Sequence, residues 1–199
     1  MASSPQTTRE RILSVANRLF YNEGIRATSV DAIAEKAGIT KKTLYYHFKS
    51  KDDLVAGYLQ SRDQPNLALF AKWFDECDGT LADKIAAIFT HVAMGARHPK
   101  WNGCGFQRTV AELANMPGHP AVKIGAAHKK KFEAWLRDRF AEGQIDNPPD
   151  LARHIVILMD GAFSTMLMHR DPGYADSAAD AARAMVSAAL ERAKTPQAV

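Results

Sequence analysis

The stretch Ile39–Leu54, ITKKTLYYHFKSKDDL, sets four rings in a row, Tyr45, Tyr46, His47 and Phe48, with lysines on both sides. At 100° per residue, Leu44 and Phe48 share one helical face, and Lys42, Tyr46 and Lys49 point the opposite way with Tyr45 beside them. Two phenols and two ammonium groups then share one exposed surface. Lysine neutralises phosphate, and a Tyr hydroxyl hydrogen-bonds phosphate oxygens. A major groove holds one helix bearing such a surface. The expected partner is duplex DNA. The competing reading packs both tyrosines on the next helix, and leaves the hydroxyls and lysines unexplained.

Working outward, each neighbouring segment reads as a capped helix. Thr7-Thr8-Arg9-Glu10 is a capping box. Ile12, Val15, Ala16, Leu19 and Phe20 follow as one apolar stripe, and Gly24 ends it. Thr28-Ser29-Val30-Asp31 opens a second helix with Val30, Ile33, Ala34 and Ala37 inward and Gly38 as its stop. Thr40 caps a third, carrying Leu44 and Phe48. Ser50-Lys51-Asp52-Asp53 caps a fourth, with Leu54, Val55, Tyr58 and Leu59 inward. Two short helices joined by Gly38-Ile39-Thr40 carry the helix-turn-helix signature.

Charge divides the chain in the same place. Residues 1–62 hold ten Lys/Arg and six Asp/Glu, and residues 63–199 hold sixteen of each, so the whole +4 lies in the first third. A basic module joined to a neutral one suggests anion binding; on charge alone a solvated basic face is an equal alternative. Composition changes near Pro65, and the remainder reads as helices over roughly 66–77, 81–96, 105–115, 120–142, 150–169 and 175–194, broken at Gly/Pro signals. No strand-like alternation is found. The expected fold is all-α, with domains at 1–62 and 63–199.

Other classes are disfavoured. There is no GxSxG, Walker or GxGxxG motif for an enzyme. The seven His show no metal-ligand spacing, and no cofactor is indicated. MASSPQTTRE lacks the apolar stretch of a signal peptide, and no apolar run near the ~18 residues of a membrane span is found. A cytoplasmic protein without a membrane partner is expected.

Residues 8–59 resemble the N-terminal domain of the TetR family of bacterial transcriptional regulators. The resemblance rests on Ala16, Leu19, Phe20, Gly24, Thr28, Ile33, Ala34, Ala37, Gly38 and TLYYHFKSKDDL. It implies a three-helix DNA-binding domain followed by a helical ligand-binding and dimerisation domain, working as a homodimer on a palindromic operator, with repression as the family default and activation as an alternative. It places recognition contacts at Thr40, Lys41, Lys42, Thr43, Tyr45, Tyr46 and His47, and phosphate contacts at Thr28 and Lys51. Lys42 departs from the glycine frequent at its position, so base preference does not carry over.

In the neutral part, residues 150–169 are apolar on nearly every face and must be covered. The last helix is rich in alanine: Ala178, Ala179, Ala181, Ala182, Ala184, Ala188 and Ala189. The two are expected to pair with their copies as a four-helix bundle; an ordinary monomer core is the alternative. Trp101-Asn102-Gly103-Cys104-Gly105-Phe106, Val110-Ala111-Glu112-Leu113 and His119-Pro120-Ala121-Val122 resemble the GC-x-F…AEL…HP pattern of one subgroup. Candidates to line an effector site are Trp101, Cys104, Phe106, Val110, His128, Trp135, Met159, Phe163 and Met166, a composition suited to an apolar or aromatic small molecule; each is individually also a core candidate. Cys104 offers a second route, an electrophile- or oxidant-sensing thiol, against the plainer reading of a small buried residue between two glycines. Lys129-Lys130-Lys131 reads as a solvated face with Phe132 and Trp135 inward. Asp160 either holds a cationic ligand or bonds a neighbouring helix.

Overall fold

The computed structural model describes residues 6–194. Residues 1–5 and 195–199, the outer ends of the two expected domains, lie outside the described residues. Within these bounds the structure is helical throughout: α1 (Thr8–Glu23), α2 (Val30–Lys36), α3 (Lys41–His47), α4 (Lys51–Asp75), α5 (Leu81–Ala96), α6 (Gly105–Glu112), α7 (Pro120–Glu142), α8 (Pro148–His169) and α9 (Gly173–Lys194). The chain forms two compact units.

The first unit comprises the residues up to Pro65 together with Gly105–Ala127. Its caps are those the sequence spells out. The Thr7 hydroxyl accepts the Glu10 N–H at 3.2 Å and the Glu10 carboxylate accepts the Thr7 N–H at 2.8 Å, which draws the Glu10 carboxyl below its ordinary range. The Ile12 stripe is buried. Gly24 closes α1 at φ 92°, its N–H donating to the Phe20 carbonyl. Beyond α2, Gly38 lies at φ 63° while its N–H reaches the Glu35 carbonyl and that of Ile39 the Ala34 carbonyl. That pair of bonds is the Schellman arrangement, and a residue free of Cβ is best suited to its left-handed position. The Thr40 hydroxyl then restarts the helix by accepting the Thr43 N–H at 3.1 Å. Leu44, Phe48, Leu54, Val55, Tyr58 and Leu59 are buried.

This unit is larger than the sequence suggests, because α6 and the start of α7 belong to it. The Glu112 carboxylate accepts the N–H groups of Ile25 and Arg26, and Arg108 donates to the Tyr21 carbonyl. The His119 Nδ1 accepts the Ala121 N–H, which leaves Nε2 to face Asp52 at 3.2 Å. The expected break near Pro65 is also absent: α4 runs through the proline. A proline withholds one helical N–H and is costly in an isolated helix. Here buried Tyr58 and Leu59 precede it and buried Phe74 follows, so packing at both ends sustains the helix.

The second unit holds Asn66–Cys104 and the residues from His128 onward. The Thr80 and Asp83 side chains form a capping box that starts α5. Ile85, Ile88, Phe89 and Val92 of α5 join Phe132, Leu136 and Phe140 of α7 and Ile155, Met159, Phe163 and Met166 of α8 in one core. The most extensive helix pairing is α5 with α9. Ala175, Ala178, Ala179, Ala182 and Ala189 are buried, and small side chains let the two axes approach. Ala181 and Ala184 remain exposed and Ala188 partly so. By length and composition alone α8 is long and apolar enough to span a membrane, but Leu151, Ala152, Ile155, Met159, Ala162, Phe163 and Met166 bury one face of it in the core. Its other face carries Ile157, 62% exposed, and Met168, 69% exposed.

Candidate nucleic-acid interface

The outward face of α3 is built by burial of the inward one. Leu44 is fully buried and Phe48, the C-cap, nearly so, which fixes the rotation of the helix. Tyr46 is thereby left 86% exposed and Tyr45 43%. The His47 ring meets Tyr46 edge-on at 5.2 Å. Lys42 and Lys49 are exposed, and no carboxylate among the described residues pairs with either. Thr40 and Thr43 share a hydroxyl–hydroxyl bond of 2.9 Å at the start of the helix. Lys42, the two phenols and the Thr40 and Thr43 hydroxyls thus line the uncovered side of α3, suited to phosphate oxygens and to base edges, and Lys49 follows the extended C-cap Phe48 just beyond the helix end.

Three candidates stand apart. Lys41 reaches back to Asp31 at 3.0 Å. That hydrogen bond first, and the carboxylate charge second, hold the Lys41 ammonium above the usual lysine range, so it remains protonated with its charge already answered on the protein. Lys51 is half-buried at the start of α4, where the Ser50 hydroxyl accepts the Asp53 N–H and Asp53 accepts that of Lys49. Thr28 is 1% exposed and its hydroxyl donates to the Gly24 carbonyl at 2.7 Å. The residue that caps α2 is Ser29, which is exposed and accepts the Ala32 N–H.

The effector candidates do not form one group. Phe106 and Val110 belong to the first unit, and Val110 packs against Gly125, where an added Cβ would lie 2.5 Å from its methyl. Met159, Phe163 and Met166 are core, with Trp101, Cys104 and Trp135 packed on it. Trp101 stacks on Phe163, and His128 is buried. A cleft of about 440 Å³ is floored by Trp101 and Met166 and rimmed by Arg97, His98 and Arg170. A second, of about 480 Å³, lies between the start of α8 and the end of α9, with Leu151, His154, Met185 and Arg192 among its walls. An aromatic cluster escaped the sequence reading. Trp73 stacks on His91 at 5.1 Å, Phe70 meets Phe132 at 4.9 Å and Phe74 meets Trp135 at 5.3 Å. Its signal was present in the spacing of Phe70, Trp73 and Phe74, but a helix break was expected just before them. Asp160 pairs with Lys129 of α7, whose ammonium lies over the Phe163 ring, while Lys130 and Lys131 are exposed.

Comparison with known proteins agrees with this geometry. The profile described as bacterial regulatory proteins, tetR family, matches residues 12–58. The probable HTH-type transcriptional regulator ArpR of Pseudomonas putida is 34% identical over 178 residues, spanning 83% of each chain. The HTH-type transcriptional repressor KstR2 of Mycolicibacterium smegmatis is 28% identical over 75% of this chain and 72% of its own. Among solved structures, a TetR-family transcriptional regulator from Streptomyces coelicolor superposes with a TM-score of 0.77 at 30% identity, covering 94% of this chain and 96% of that one. With a helix-turn-helix in place and such relatives along most of its length, the chain belongs to the TetR family of bacterial transcriptional regulators, DNA-binding proteins and not enzymes.

Proposed function

We propose that the protein is a cytoplasmic homodimeric repressor whose two α3 helices enter successive major grooves of a palindromic operator, and that an apolar or aromatic small molecule releases it. The observation that carries this reading is the exposed Tyr46 ring between unpaired Lys42 and Lys49, on a helix whose opposite face is buried. The repressing sign is supported by the KstR2 relative, a transcriptional repressor. The effector class is supported by the aromatic cluster and by the Trp101–Met166 cleft, whose 440 Å³ lies within the range of small-molecule sites. Release requires that the ligand bind the DNA-incompetent arrangement of the dimer better than the competent one.

The test is a fluorescence-anisotropy titration of the duplex flanking the protein's own gene, over a series of salt concentrations. With Lys42 kept for base reading, Lys49 and Lys51 from two protomers give four phosphate neutralisations, hence a slope of log K against log salt of roughly −4. Equal affinity for an unrelated duplex at every salt concentration refutes operator recognition. A reporter that loses expression on deletion of the gene refutes repression in favour of activation.

A further inference from the structure

We propose that Glu112, at the end of α6, is a positioning residue for DNA recognition: it holds the α1–α2 turn that sets the direction of α2 and, through it, of α3. The inference rests on the reading of α3 as the DNA-contacting helix.

After α1 the chain turns through Gly24 at φ 92°, and the next two N–H groups leave the helical ladder. Both donate to Glu112, Ile25 to Oε2 at 2.9 Å and Arg26 to Oε1 at 2.6 Å. Each carboxylate oxygen thus takes one amide of a consecutive pair, a charge-assisted arrangement stronger than neutral bonds. The approach is close enough that a Cβ on Gly24 would lie 3.3 Å from Oε2. Two further bonds from the same segment grip the same turn. Arg108 Nη1 donates to the Tyr21 carbonyl at 2.7 Å, and the Arg26 guanidinium donates to Asn115 Oδ1 at 2.7 Å. Inside the turn, Thr28 closes on the Gly24 carbonyl. The donors and acceptors that a helix end leaves unpaired are therefore met by a segment more than eighty residues away in the chain. Arg26 is exposed, so water can replace the carboxylate at its N–H. Ile25 is buried, so loss of Glu112 loosens the turn and also leaves the Ile25 N–H without its acceptor.

Base readout depends on fixed side-chain geometry, whereas phosphate attraction tolerates displacement. A loosened turn lowers specific affinity more than non-specific affinity. The experiment compares wild type, Glu112→Ala and Glu112→Gln, without effector. Operator and random-duplex affinities are measured alongside thermal unfolding, solution mass and amide exchange at Ile25 and Arg26. The expected result for Glu112→Ala is about tenfold weaker operator binding, with random-duplex binding changed less than twofold and faster exchange at both amides. Glu112→Gln, which keeps one accepting oxygen, falls between. The proposal is overturned if operator affinity is unchanged, or if specific and non-specific binding fall together with the unfolding temperature, as for an ordinary scaffold bond. Should wild type itself fail to prefer the operator, the DNA-reading proposal fails instead, and the exchange data still report whether the clamp exists.

Discussion

The outward face of α8 predicts how the protomers associate. Ile157, Gly161, Thr165 and Met168 recur at three- and four-residue spacing, and Ile157 is 62% exposed. Ala181 and Ala184 of α9 are exposed as well. Full burial of an isoleucine contributes roughly 1.5–3 kcal/mol, so covering the uncovered part contributes roughly 1–2 kcal/mol. Two-fold symmetry doubles this to roughly 2–4 kcal/mol, and at about 1.4 kcal/mol per decade that is roughly 30- to 700-fold in the dimer dissociation constant. Ile157→Asp removes the gain and places a carboxylate in the interface, which adds further cost. The side chain lies outside the core, so the variant folds. Sedimentation equilibrium from nanomolar to micromolar concentration should show it dissociating at least about 30-fold more readily than wild type, by the same arithmetic. Met94→Asp, also exposed but on α5, should leave association unchanged. An Ile157→Asp protein that remains as dimeric as wild type would falsify the α8–α9 interface; a monomeric wild type would remove the premise.

Other perturbations separate the remaining roles. Tyr46→Phe should weaken binding to operator and unrelated DNA alike, since a phosphate bond carries no sequence information, whereas Lys42→Ala should relax preference at one or two positions by roughly 1–3 kcal/mol; uniform losses for Lys42→Ala would refute base reading. Gly125→Ala forces a Cβ to 2.5 Å from Val110 and should cost about 1–3 kcal/mol by overpacking, read as a lower denaturant midpoint, with no change counting against the α6–α7 packing. Asp83 is drawn below its ordinary value of 3.8 by the Thr80 hydroxyl, then the Thr80 amide, then Arg183. Its stabilisation is therefore present above that value and disappears as pH falls through the lower folded one. Asp83→Asn should melt below wild type at neutral pH, and the gap should close as pH falls below the ordinary carboxylate range; a gap that stays constant across that fall excludes the assignment. Cys104 is half-buried against the core, so an alkylating reagent should label it only on denaturation; rapid labelling of the native protein with loss of DNA binding that Cys104→Ser resists would restore the thiol-sensor alternative.

The first three helices were legible because their determinants are local. A cap spans three residues, a Schellman stop six, and an apolar stripe repeats within two turns. Thr28 marks the limit of such reading, since Thr28-Ser29 offers two hydroxyls and only backbone geometry tells which one caps α2 and which turns inward. The run through Pro65 was not legible, as a proline signals a break unless packing at both ends outweighs it. The alanines of α9 show a related limit: small residues announce close approach but not to which neighbour, and within the chain α5 is one such neighbour while Ala181 and Ala184 stay exposed. The effector candidates were chosen by residue type, and type does not separate a methionine that lies wholly in the core, such as Met159, from a core methionine that also lines a cleft, such as Met166.

The charge partition survives the redrawn boundary, and this bears on how α3 finds DNA. The first unit, residues 1–65 with 105–127, contains twelve Lys/Arg and eight Asp/Glu, and the second unit contains fourteen of each. The transferred segment adds Arg108 and Lys123 against one acid, Glu112. An uncompensated carboxylate in this unit would oppose the field that draws phosphate toward it. The Glu112 carboxylate keeps its charge while it accepts two backbone N–H groups, and Asp31 answers Lys41. The cations left without a local partner include Lys42 and Lys49, on the face that Tyr46 exposes. Removing Lys42 or Lys49 should therefore slow association at low salt, whereas removing Glu112 should act through the shape of the turn and leave the salt dependence in place.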